Sequence, residues 1–311
     1  MFQLPPFSFT APPEQDWARA LLNGCSQIFL QGRPLCGLVL LLAIAWGVPQ
    51  ALGPTLLGGA AGWLTATRRR YGQDDIAAGI YAYNGALLGL LLGSQFAWTW
   101  LVPLLIIASA GLSSLLLQQW LRYYRRSQGL APYTAPFVLL GWLLLALATP
   151  LQLQAVSSDL LPGNPSAPWT LLQAVLRGLS QVLLINDPFS GLLVLLGLLC
   201  ANRQAALWAL CGSLVSLLLG LWLGYEAEAL NGLFGYNGAL VALALYPYSQ
   251  RKWPILLAIA LCAVLQPGFA SLGLSAPLTA PFILSCWLMH SSHLLLKRGA
   301  AASQPPISAQ A

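Results

Sequence analysis

The chain has 311 residues, 58% of them hydrophobic and only 7% charged, with a mean hydropathy of +0.71 and a net charge of +6. Soluble domains carry about 25% charged residues, and a set this sparse cannot cover a folded surface facing water. That excludes a soluble globular domain and implies an all-α polytopic membrane protein with the lipid bilayer as its solvent.

From the N-terminus, MFQLPPFSFTAPPEQDW has no basic region ahead of an apolar core, so no signal peptide is expected and 1–16 reads as a tail. Residues 17–31 are short and apolar, carry the lone amide Gln27 and end at Gly-Arg-Pro, as a half-helix would. Leu-rich segments at 34–48, 50–66, 76–93, 98–118 and 135–150 fit bilayer-spanning helices, although several fall short of the roughly 20 residues such a helix needs. The stretch LQLQAVSSDLLPGNPSAPW at 151–169 is rich in Pro, Ser and Gly and reads as a linker. A second half-helix at 171–186 carries Gln181 and ends at Asn-Asp-Pro. Further spans are expected at 188–201, 204–223, 229–246, 253–267 and 278–296, before a tail at 299–311.

The second set of segments echoes the first. GCSQIFLQGRPLCGLVLLL at 24–42 aligns with GLSQVLLINDPFSGLLVLL at 178–196, YNGAL at 83–87 with YNGAL at 236–240, and TAPFVLLGW at 134–142 with TAPFILSCW at 279–287. The chain therefore divides into repeats at 17–150 and 170–298. Each holds one short pore half-helix and five spanning helices. An odd number of crossings turns the second repeat upside down, and the charges agree. With both termini cytoplasmic, the loops at 68–75, 119–132, 202–203 and 250–252 and the C-terminal tail hold eleven of the fourteen cations, as the positive-inside rule requires. The opposite loops contain no Lys or Arg but do carry Asp159, Glu226 and Glu228. This clustering of cations between apolar segments argues against a nucleic-acid partner.

Inverted repeats are a device of transporters, with the solute site where the halves meet at short or broken helices. Pumps and ion-coupled carriers need intramembrane groups that change charge. Here the ionisable residues lie in loops or at helix ends, save Arg177, which is expected to satisfy carbonyls at its half-helix. The expected cargo is thus a small neutral polar solute moving down its gradient. The repeated polar residues suit it. Gln27 and Gln181 offer amide donors and acceptors, and Thr134 and Thr279 offer hydroxyls. Pro136 and Pro281 are expected to free a carbonyl one turn earlier. Tyr83 and Leu87 share a helix face, as do Tyr236 and Leu240. Asn84 and Asn237 suit either pore lining or bracing of a neighbouring backbone, and Gly85, Gly89 and Gly238 suit helix packing. The six cysteines are scattered among apolar segments without CxxC spacing, which gives them no redox role. His290 and His293 have no carboxylate or Cys nearby, and no metal or other cofactor is expected. With no nucleophile and base at workable spacing, an enzyme is not expected either.

These motifs, SQ followed by P-x-x-G, YNGAL and TAPF, each written twice in order over 20–296, resemble the urea transporter family. The resemblance implies a homotrimer in the inner membrane, each protomer with its own narrow pore, conducting urea passively without ions or cofactors. Other small neutral solutes, such as short amides, ammonia or water, are the alternative cargo. Carried onto this chain, it places Gln27 and Gln181 at the two mouths of the slot. Tyr83 and Tyr236 become aromatic plates, Leu87 and Leu240 narrow the centre, and Thr134 and Thr279 supply hydroxyls at the constriction. Bacterial members carry Phe three residues after the first Gln, where this chain has Leu30, with Leu184 at the matching place.

Overall fold

Prolines open many of the helices and residues of positive φ close several of them. The computed structural model describes residues 16–302 apart from 128, 157–159, 162–166, 250 and 273–275. The first repeat forms α1 (Trp17–Gln27), α2 (Pro34–Gly47), α3 (Leu52–Arg68), α4 (Gln73–Ala77), α5 (Tyr83–Gln95), α6 (Leu101–Ser127) and α7 (Ala135–Ala148). The second forms α8 (Pro168–Ser180), α9 (Pro188–Ala201), α10 (Arg203–Trp222), α11 (Glu226–Leu230), α12 (Gly235–Leu245), α13 (Trp253–Ser271) and α14 (Ala280–Ala302). Pro34, Pro136, Pro168 and Pro188 stand in the first turn of their helices, where a missing N–H costs nothing. After α1 and after α8, Leu30 (φ 58°) and Leu184 (φ 56°) turn left-handed, and Gln31 N and Ile185 N bond back to Ser26 O and Ser180 O. The two short helices α1 and α8 are thus stopped alike. Of the tails and linker, 1–15, Asp159 and 303–311 lie outside the described residues.

Three expected boundaries are corrected. The span at 76–93 breaks into α4 and α5, and that at 229–246 into α11 and α12. The breaks turn on Gly79 (φ +76°) and Gly232 (φ +79°), which lie against the backbones of Gly24 and Gly178, where no Cβ fits. The helix expected at 98–118 runs on to Ser127, because its polar end still consists of good helix formers. Arg122, Arg125 and Arg126 therefore ride on α6 rather than in a loop. Arg125 reaches both carboxylate oxygens of Asp75 at 2.8 and 2.9 Å, tying the end of α6 to α4.

Among the described residues two helices, α6 and α10, are long and apolar enough to cross a bilayer alone, while α2, α7, α12 and α13 are apolar but shorter. The segment Pro168–Leu183 and α9 form a broken pair bent by 75°. Exposed apolar stripes run along matching helices. On α2, Leu35, Leu38, Leu42 and Trp46 are exposed while Cys36, Leu40, Ala43 and Ile44 are buried. On α9, Phe189, Leu192, Leu196 and Leu199 are exposed while Ser190, Val194 and Leu198 are buried.

The halves meet along α2 and α9, where Ser190 Oγ donates to Ala43 O at 3.2 Å and the rings of Trp46 and Phe189 lie 4.7 Å apart. They meet again through an exchange. Trp142 Nε1 donates to Ala276 O at 2.9 Å, and Trp287 Nε1 donates to Ala131 O at 2.8 Å. Each indole thus holds the segment leading into the other repeat's TAPF. Trp287→Phe keeps the ring and leaves the Ala131 carbonyl unpaired, an expected loss of about 1–2 kcal/mol. A melting curve in detergent reads it, and an unchanged midpoint would show that the N–H contributes nothing.

Candidate solute pathway

Thr134 is the N-cap residue of α7, yet its side chain makes no capping bond. Instead its Oγ1 lies 2.7 Å from Thr279 Oγ1, with both residues almost fully buried. The two copies of TAPF, 145 residues apart, therefore touch through their buried hydroxyls. The residues just before them, Tyr133 (φ 42°) and Leu278 (φ 46°), are left-handed. Their carbonyls accept the two repeated tyrosines: Tyr83 OH donates to Tyr133 O, and Tyr236 OH donates to Leu278 O at 2.6 Å. The carbonyls expected to be freed by Pro136 and Pro281 are not free. Each proline lies in a first turn, where no bond to the preceding turn exists to be lost, and Pro132 O and Pro277 O accept from Ala135 N and Ala280 N.

The asparagines of YNGAL brace this centre. Asn84 Oδ1 accepts from Phe137 N at 3.2 Å, while Asn237 Nδ2 donates to Gln266 Oε1 at 2.9 Å and to Leu278 O at 3.2 Å. Each leaves one buried atom, Asn84 Nδ2 and Asn237 Oδ1, without a partner. Leu87 and Leu240 are buried one turn further along α5 and α12. Gln27 and Gln181 stand apart from the threonine pair. Gln27 Nε2 donates to Ala78 O at 3.2 Å and Gln181 Nε2 to Asn231 O at 2.9 Å, just past the ends of the short helices α4 and α11. Of the residues the sequence singled out, the structure brings the Tyr, Asn and Thr copies to one place and holds the glutamines at two matching ones.

Two residues of the site were missed. Gln266, buried on α13, meets Asn237 and donates to Leu233 O. A lone amide beside Pro267 in an apolar helix was a signal, but it has no copy in the first repeat. Asn231 is fully buried and binds the linker through Leu161 N and Leu161 O, both at 2.9 Å. Among the described residues no three His, Cys, Asp or Glu side chains cluster.

Comparison with known proteins bears on this arrangement. The family model described as "Urea transporter" matches residues 18–292, most of the chain and every side chain described in this subsection. The chain belongs to the urea transporter family. It is therefore an integral membrane protein from a family of transporters rather than enzymes. Among curated urea transporter relatives, urea transporter 1 of Rattus norvegicus is 24% identical over 82% of this chain and 69% of its own length. Urea transporter 1 of Ovis aries is 39% identical over 31% of this chain and 26% of its own length, and that of Mus musculus is 36% identical over like shares. The chain thus spans about a quarter of the sheep and mouse relatives it matches.

Proposed function

We propose that the chain is a passive urea channel of the inner membrane, with a narrow pore between two inverted halves and both termini cytoplasmic. The observation that carries this reading is the buried Thr134–Thr279 contact at 2.7 Å, where motifs from both repeats meet at a centre built of hydroxyls, amides and carbonyls. The reciprocal tryptophan bonds and the matched positive-φ residues support two halves related by a two-fold axis. The cation distribution supports the inverted orientation. Gln27 and Gln181 form the mouths, Tyr83 and Tyr236 flank the planar solute, Leu87 and Leu240 narrow the slot, and Asn84 and Asn237 set its edges. Urea gives up water on entry and regains hydrogen bonds from these groups, whereas a cation finds no negative charge to replace its hydration. The homotrimer rests on the resemblance alone. Leu30 and Leu184, aliphatic at the mouths, favour short amides as secondary solutes.

Stopped-flow light scattering on proteoliposomes tests the reading, with urea, acetamide and glycerol imposed separately and no ion gradient. Rapid volume recovery is expected with urea, slower recovery with acetamide and none with glycerol. No acceleration by any of the three, from folded protein, overturns it.

A further inference from the structure

Arg177, in the last turn of α8, precedes Gln181 by four residues, and Gln181 continues the helical backbone just past the end of α8, so the two share one face. They act on neighbouring carbonyls: Arg177 Nη1 donates to Leu230 O at 3.2 Å, and Gln181 Nε2 to Asn231 O at 2.9 Å. Arg177 is only 8% exposed, and its Nε is buried without a partner. Among the described residues no carboxylate oxygen lies within 4.0 Å of the guanidinium, since Arg125–Asp75 is the one ion pair. Asp187 influences Arg177 electrostatically from beyond that distance, while its Oδ2 accepts from Ser190 N at 2.6 Å.

The first repeat supplies an internal control. Asn23 stands at the place of Arg177, and its Nδ2 donates to Ala77 O at 2.9 Å, beside Gln27 on Ala78 O. Ala77 and Leu230 end the short helices α4 and α11. The same brace is therefore made in one half by a neutral amide and in the other by a cation. Bracing does not need the charge. A guanidinium remains protonated at any physiological pH, and burying it is costly. Arg33, another arginine at a half-helix end, is by contrast exposed.

We propose that Arg177 is a specificity residue that makes the Gln181 end of the pathway reject cations, above all those of urea's own planar shape, such as guanidinium. Shape and N–H donors cannot separate guanidinium from urea; a fixed positive charge in a weakly screened setting can. The neutral solute carries no net charge and passes. This rests on the urea-channel reading above.

The test uses full-length protein in proteoliposomes, with membrane potential clamped by potassium and valinomycin. It measures urea flux and tracer guanidinium flux at low, non-denaturing concentration. Wild type is expected to conduct urea and to hold guanidinium at the level of empty liposomes. Arg177→Asn, the first repeat's residue, is expected to keep urea flux within about two-fold and to raise guanidinium flux at least about ten-fold. Arg177→Lys, which keeps the charge, is expected to keep rejecting guanidinium. An Asn variant that conducts urea yet still excludes guanidinium overturns the proposal, and so does a Lys variant that leaks as much as the Asn one. If Arg177→Asn fails to fold, Arg177→Gln, with a longer amide for the Leu230 carbonyl, is read by the same criteria. Wild type without urea flux removes the channel reading itself, a result seen before any variant is made.

Discussion

Thr134→Val and Thr279→Val are each expected to lower urea flux about ten-fold while the protein stays folded, because a buried polar group left unpaired costs about 1–3 kcal/mol. Valine keeps the branched outline of threonine and replaces only the hydroxyl. In either variant the surviving hydroxyl loses the partner it now meets at 2.7 Å, and a solute crossing the centre loses one of two hydrogen-bonding groups. The backbone is held independently by Val138 N on Thr134 O and Ile283 N on Thr279 O, at 3.0 and 3.2 Å, so the helix starts persist. The two hydroxyls bond each other and should act as a unit. The double variant should therefore fall about as far as either single one, rather than by the hundred-fold or so of independent sites. Stopped-flow flux, with gel-filtration and circular dichroism profiles as folding controls, decides it. Wild-type flux from folded single variants would take both threonines out of the pathway.

That these threonines meet was legible because the phrase around them is written twice. Two copies of a polar phrase in an apolar chain have few places to go except where the halves join. Its charge, not repetition, singled out Arg177 as a satisfier of carbonyls at its half-helix; the carbonyl it meets is that of Leu230, at the end of α11. What repetition could not mark was missed: Gln266 and Asn231 have no counterpart amide in the first half. Hydropathy also ran α4 into α5 and α11 into α12. An apolar window does not register one left-handed glycine, and Gly79 and Gly232 look like packing glycines until the neighbouring half-helix is seen lying against them. The proline argument failed for a different reason. It assumed a helix interior, whereas Thr-Ala-Pro-Phe opens a helix. The carbonyls actually redirected belong to Tyr133 and Leu278, whose left-handed turns the sequence gives no reason to expect at Tyr or Leu.

Gly58→Ala should cost about 2–3 kcal/mol, as overpacking of a filled interior does. A Cβ on Gly58 would overlap the carbonyl oxygen of Gly85 on α5, and one on Gly212 would overlap that of Gly238 on α12. Backbones, unlike side-chain ends, cannot swing aside, and such close approach is how helices associate where lipid supplies no hydrophobic drive. Gly53 is the control: a Cβ there meets nothing within 4 Å, so Gly53→Ala should stabilise α3 slightly through helix propensity. Melting midpoints in detergent should separate the two, and equal midpoints would show that α3 and α5 tolerate more distance than these contacts imply. Function should follow. α5 carries Tyr83, Asn84 and Leu87, so any shift that relieves the clash moves Tyr83 off the Tyr133 carbonyl and Asn84 off Phe137 N. Folded Gly58→Ala protein should therefore conduct urea more slowly even though residue 58 makes no contact with the solute, whereas Gly53→Ala should leave flux unchanged. In the proposed channel the small residues would thus set the pathway's width from behind, by fixing how near α5, which carries Tyr83, Asn84 and Leu87, can come to α3.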